Sequence, residues 1–265
     1  MKELGIEDRP IFDDYIKTAQ LDSFYHYFPL LCGISYTNVN PDTGVTNTFR
    51  WEVKDGHLWV WDGKNLFYPP IGERRIVPNV DKVQVSLTKA PRPFKTAIFD
   101  VNYIYNLSET LSVKNFRHNV KRFKRDHKDV KYAPAETKEA YHIIKTWYTN
   151  KVGDFADFGY TLWLSLNFVV FDDIRARVVY IDGLPSAFTL WGELNEDTAI
   201  HVICKDLGIP FLQDYTRYMT YQEMLEEGFK WVNDGSDVGI HGLRVYKLKL
   251  RPRYIIPIYS WIRVR

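Results

Sequence analysis

Cysteine is nearly absent from this chain of 265 residues. Cys32 and Cys204 stand far apart, with no CxxC and no Cys/His spacing. That argues against a structural zinc site or any other metal site, and it fits a reducing compartment, so a cytoplasmic location is expected. Long apolar runs are also missing. No stretch approaches the roughly 18 to 20 apolar residues that a bilayer span requires. The opening residues, MKELGIEDRPIFDDYIK, carry acidic groups and no apolar h-region, so no signal peptide is expected. Contact with a membrane surface stays open. Excess charge of one sign is missing as well: 35 Lys and Arg against 33 Asp and Glu leave a net charge of +2. The whole molecule is therefore not a strongly basic nucleic-acid binder, and any such role must come from local clustering. What is plentiful is aromatic side chain, 16% of the chain, which points to dense cores or to a cleft that stacks flat ligands.

The length suffices for one large domain or two small ones. The pattern divides it into residues 1–98 and 99–265. In the first part a short helix is expected around Ile11 to Ala19 and Phe24 to Phe28. From Thr48 to Trp61 the chain alternates β-branched and aromatic residues around Asp55-Gly56, a hairpin signal, and Asp62-Gly63 supplies a second turn. Ala90-Pro91-Arg92-Pro93 reads as a linker or long loop.

Residues 106–131 read as a helix. Asn106, followed three residues on by Glu109, resembles a capping box. Val113, Phe116, Val120 and Phe123 follow the spacing of a buried stripe. The rest is basic: Lys114, Arg117, Lys121, Arg122, Lys124, Arg125 and Lys128. Cations recurring every three or four residues share an exposed face, which suits contact with a phosphate backbone. The alternative is a solvated helix face with internal ion pairs, and acidic residues are almost absent between Ser112 and Arg125. A second helix over 135–150 turns Ala140, Ile143, Ile144 and Trp147 inward. Strands follow at 176–181, 185–194 and 199–204, the first two joined by Asp182-Gly183. A helix spans 210–228, a short strand 230–233, a helical segment 243–250 and a last strand 253–264.

Several of these segments resemble the phosphatidylglycerol lysyltransferase C-terminal family, in that family's order. They are Tyr103-Ile104-Tyr105 with the run Phe116 to Phe123, the hairpin Val179 to Thr189, and the turn and strand Gly192 to His201. The closing motif comprises Asn233-Asp234-Gly235, Asp237-Val238-Gly239, Gly242-Leu243-Arg244, Lys247 and Pro252. The resemblance implies an α/β, GNAT-like acyltransferase fold, in two side-by-side units with mixed central sheets and an active cleft in or beside the second. It also implies transfer of an aminoacyl group from aminoacyl-tRNA, with no cofactor. Members attached to membrane segments use a lipid acceptor. Here lipid head groups, small molecules, peptides and modified nucleotides all remain open.

Aminoacyl transfer needs a docked carrier, a deprotonated nucleophile and stabilisation of the developing oxyanion. Asp234, Asp237, Arg244 and Lys247 are the candidate catalytic residues. Arg244 and Lys247 would share a helix face as clamps for phosphate or carboxylate. Alternatively, Asp234, Asp237 and Arg244 form an ion-pair network that simply holds the loop. His241, in the Gly-rich loop, is a candidate substrate-binding residue, with Asn119 and Lys205 at motif positions. His201 reads as structural. The rival donor is acetyl-CoA, but Lys205-Asp206-Leu207-Gly208-Ile209-Pro210 has one glycine, and Pro210 lacks an N–H to offer a pyrophosphate. A non-catalytic polyanion-binding protein on the same scaffold is the third reading.

Overall fold

The computed structural model describes residues 1–21, 23–38, 48–150 and 157–264. In chain order the elements are β1 (Lys2–Glu3), α1 (Arg9–Thr18), α2 (Phe28–Thr37), β2 (Arg50–Lys54), β3 (His57–Asp62), β4 (Asn65–Leu66), β5 (Lys82–Ser86) and β6 (Phe94–Asn106). Then come α3 (Leu107–Ser112), α4 (Lys114–Asp126), β7 (Val130–Pro134), α5 (Thr137–Thr149), α6 (Phe158–Asn167), β8 (Arg175–Ile181), β9 (Leu184–Asn195) and β10 (Thr198–Asp206). The chain closes with α7 (Leu212–Glu226), β11 (Trp231–Asn233), α8 (His241–Lys249) and β12 (Tyr254–Arg263).

Two compact units result. One holds Met1–Asn102 and Ile256–Arg265, the other Tyr103–Ile255. The expected boundaries, 1–98 and 99–265, fail at the C-terminus. The last strand, β12, pairs antiparallel with β5. Its Trp261 is fully buried with Leu66, Val80, Val83 and Phe94. Burial of that indole, not position in the chain, decides where the tail belongs. The stretch 90–93 is a loop inside the first unit rather than a linker between units.

In the first unit the strands run β1-β2-β3-β4-β5-β12. Both expected turns are present. Asp55 and Gly56 take φ of 52° and 72°, the left-handed values a two-residue hairpin turn requires, and join β2 to β3 with Lys54 opposite His57. The N-terminal helices differ from expectation. Phe24 to His26 form a single 3-10 turn, and α2 runs on to Thr37 through Leu30, Leu31 and Cys32, all fully buried.

In the second unit the order is β6-β11-β10-β9-β8-β7. Neighbours are antiparallel except β10 and β11, which run parallel. Strand β9 is buried without interruption from Ser186 to Gly192, so both sheet faces are covered. Ala187 packs with Val120 and Phe123 of α4 and Leu212 and Tyr215 of α7. Phe188, on the opposite side of the pleat, meets Phe168 just beyond α6. The expected 106–131 helix is divided. Asn106 does cap its start, accepting the Glu109 N–H at 3.1 Å. Val113 then turns extended, with ψ of 120°, and separates α3 from α4. Helix α4 stops at Asp126 because His127 is extended, and Val130–Pro134 pairs with β8 instead. Lys128 therefore lies past the helix end. Helix α5 buries the four side chains expected of it.

Candidate functional site

Parallel pairing between β10 and β11 ends at Ile200 opposite Asn233. Strand β10 continues to Asp206, while β11 gives way to the loop 234–240. At that separation a buried carboxylate gathers three basic side chains from three elements. Asp234 Oδ1 accepts from His201 Nδ1 of β10 at 2.8 Å, and Oδ2 accepts from Lys247 Nζ of α8 at 3.0 Å. Arg217 Nη1 of α7 donates to Oδ2, and Lys247 Nζ also donates to the Asp234 backbone carbonyl. All four residues are buried.

A carboxylate accepts only, so His201 carries its proton on Nδ1. Its Nε2 then accepts from Thr189 Oγ1 at 2.8 Å, and Thr220 Oγ1 follows at 3.2 Å from Thr189. Burial lowers the His201 pKa, only partly offset by Asp234, so the ring is neutral at pH 7. Burial alone would raise Asp234, but Arg217, Lys247 and His201 outweigh it and hold the carboxylate far below its ordinary range. Burial also lowers Lys247, against the pull of Asp234 and with the help of Arg217.

One turn of loop further on, Asp237 is buried and accepts from Arg244 twice, Nε at 2.9 Å and Nη2 at 3.2 Å. It also accepts from Tyr103 OH at 2.5 Å and from the Gly239 N–H at 2.9 Å. Burial pushes the Asp237 carboxyl up, but these donors prevail and its pKa is lowered. Tyr103 is pushed up to about 12 by burial and by its bond to Asp237. The Arg244 side chain stays 53% exposed, so its outer edge is held in one orientation and open to an anion.

The structure pairs the four expected catalytic residues as Asp237 with Arg244 and Asp234 with Lys247. Arg244 stays half exposed beside Asp237, whereas Lys247 is buried beside Asp234. The two acids three apart in the loop meet the two bases three apart in α8. Lys247 and Asp234 are both buried beside the point where β10 and β11 part, rather than at an open surface. His201 is buried, between Asp234 and Thr189. Arg217 was missed in the sequence because a charged residue in an amphipathic helix reads as solvent-facing. Of the expected substrate-binding residues, His241 is exposed at the first position of α8. Lys205 pairs with Asp157 at 2.5 Å and lies 4.0 Å from the Trp147 ring centroid. Asn119 Nδ2 donates to Asp214 at 2.9 Å.

Helix α4 buries Phe116, Val120 and Phe123 and exposes the expected cations. They are not equivalent. Arg122 lies 4.4 Å from the Phe211 ring and Lys124 5.7 Å from the Tyr215 ring, and Arg125 pairs with Asp126 at 2.9 Å. Lys114, Arg117 and Lys121, with Ser112, Asn115 and His118, line an open groove of about 490 Å³. Among the described residues, no group of three or more His, Cys, Asp and Glu is placed to hold a metal ion. No described helix is long and apolar enough to cross a membrane.

No protein-family model matches the chain, and no curated protein matches it. Solved structures do. A conserved protein of unknown function from Bacteroides thetaiotaomicron superposes with a TM-score of 0.75 at 18% identity, covering 99% of each chain. L-PGS from Bacillus licheniformis gives 0.63 at 14% identity, over 99% of this chain and 93% of the other. FemX gives 0.55 at 9% identity, over 99% and 97%. At such identities the likeness is one of fold alone, a mixed α/β architecture in agreement with the expected GNAT-like fold class.

Proposed function

We propose that this chain is an aminoacyltransferase that takes its acyl group from aminoacyl-tRNA. The observation that carries this is the groove of Lys114, Arg117, His118 and Lys121 on α4, in the same compact unit as the parted strands β10 and β11. A polynucleotide carrier needs many cations and little base reading, which this helix offers. The fold shared with L-PGS and FemX, and the motifs resembling the phosphatidylglycerol lysyltransferase C-terminal family, support the same donor. In this reading Arg244, oriented by Asp237, receives a phosphate or carboxylate of donor or acceptor. Asp234, with Lys247, Arg217 and His201, keeps the two strands apart. The acceptor is a nucleophile of unidentified class. Because aminoacyl-tRNA is made in the cytoplasm, the chain acts there, and contact with a membrane surface would follow only from a lipid acceptor.

Acetyl-CoA as donor is disfavoured by the loop after β10. Its Gly208 N–H donates to the Asp206 carboxylate at 2.7 Å, so an anion already occupies a donor that a pyrophosphate would use, and Pro210 offers none. The deciding experiment incubates the protein with a mixture of radiolabelled aminoacyl-tRNAs and candidate acceptors. Label should leave tRNA faster than by spontaneous hydrolysis, and Arg244→Ala should slow it. Transfer from acetyl-CoA alone overturns the donor. Binding of tRNA without turnover, unaltered by changes at Asp237, Arg244 and Lys247, makes the chain a polyanion-binding protein.

A further inference from the structure

Asp214, on α7, is a buried carboxylate with no ion-pair partner among the described residues. Burial raises its pKa, opposed by two hydrogen bonds and by the charges of Arg217 and Lys249. Those bonds come from two different helices. Asn119 of α4 donates through Nδ2 at 2.9 Å to one oxygen, and Tyr246 of α8 donates its hydroxyl at 3.0 Å to the other. Asn119 directly follows His118 of the basic groove. Tyr246 directly precedes Lys247, and its ring lies 5.4 Å from the Arg217 guanidinium. A buried carboxylate with no cation in direct contact gains little for stability over an apolar group of the same shape. Its bridging of two elements is the property an apolar group would lack.

Helix α8 is the element such a bridge would control. Of its nine residues only Lys247 is buried. It is held by polar contacts: Lys247 to Asp234, Tyr246 to Asp214, Arg244 to Asp237, and Tyr105 OH to the Lys247 carbonyl at 3.0 Å. Apolar packing resists small shifts because it is broad and undirected, whereas a helix hung on a few directed bonds moves with them.

We infer that Asp214 is a positioning residue that ties occupancy of the basic groove on α4 to the setting of α8, and so to where Arg244 points. This rests on the reading of α4 as the site of the polynucleotide carrier. A carrier pressing on the groove displaces α4, Asn119 carries the displacement to Asp214, and Tyr246 passes it to α8.

The test is amide hydrogen exchange of residues 241–249 with and without a mixed deacylated tRNA preparation, in the wild type and in Tyr246→Phe. Tyr246→Phe keeps the ring over Arg217 and removes only the bond to Asp214. In the wild type tRNA should slow exchange in α8 by about fivefold or more, the lower range of coupling between sites. In Tyr246→Phe tRNA should still bind while α8 no longer responds. Asp214→Asn serves as the second variant if the first lowers the melting temperature. An unresponsive α8 in the wild type, an equal response in Tyr246→Phe, or loss of tRNA binding in Tyr246→Phe each overturns the inference. Failure of the underlying reading is distinct and shows in affinity alone: tRNA does not bind the wild type, or Lys121→Glu does not weaken it.

Discussion

Asp234 accepts from His201, Arg217 and Lys247, side chains that the sequence scatters over a strand and two helices. Two consequences can be measured. Asp234→Asn removes the carboxylate that buried Arg217 and Lys247 share, so it should destabilise the protein by about 3–5 kcal/mol, read as a lowered urea midpoint. His201 supplies a pH dependence. Its folded pKa is depressed below the ordinary 6.5, so the unfolded chain binds a proton that the native state refuses. Stability is therefore complete above about pH 6.5 and falls as pH drops toward the lower folded value, by at most about 1.4 kcal/mol per pH unit for one proton. His201→Asn, whose amide can still donate to Asp234, should flatten the stability profile between pH 6.5 and 5. An unchanged slope would show that the ring takes up its proton in the folded state. Asp234, Asp237, Arg244 and Lys247 were singled out in the sequence through the closing motif that resembles the phosphatidylglycerol lysyltransferase C-terminal family, and the structure pairs them as Asp234 with Lys247 and Asp237 with Arg244. Their division into a buried pair and a half-open pair was not legible, because it depends on which side of α8 meets the parted strands. Arg217 and Asp214 were invisible for a related reason. A charge on a helix is assigned to solvent until a partner from elsewhere in the chain is known.

At the scale of elements, the hairpins were the most readable features. Asp55-Gly56 and Asp182-Gly183 both take the left-handed φ values that this dipeptide signals. The stripe of α4 was equally clear, because Phe116, Val120 and Phe123 recur at helical spacing and all are buried. The break at Val113 and the strand β7 were hidden, because helical spacing continues across the first and pairing with β8 creates the second. The exposed face of α4 makes a prediction of its own. Lys114→Glu, Arg117→Glu and Lys121→Glu together should weaken tRNA binding and reduce the salt dependence of the affinity by about 0.7–0.9 per lost phosphate contact in log–log slope. The melting temperature should stay close to that of the wild type, since none of the three is buried or holds another element. A matching reversal at Arg122 and Lys124 should disturb folding more, because those side chains cover Phe211, just before α7, and Tyr215 within it. Equal effects of the triple and the double reversal on binding would dissolve the distinction drawn between them.

At the scale of the whole chain, the two units were foreseeable in number but not in membership. The tail was assigned to the second unit by proximity in sequence, and Trp261 overrules this by filling the interior of the first. Trp261→Ala should cost about 3–5 kcal/mol, as large-to-small changes of buried aromatics do. Exchange measurements should place the loss in residues 1–102, leaving 158–250 protected. The interruption of the first unit by the second also bears on synthesis. A ribosome releases residues 1–102 early, yet β5, paired with β4 on one side, has its other edge filled only when β12 emerges. The half of the protein made first is therefore the half that finishes last, and the segment translated in between has time to become native on its own.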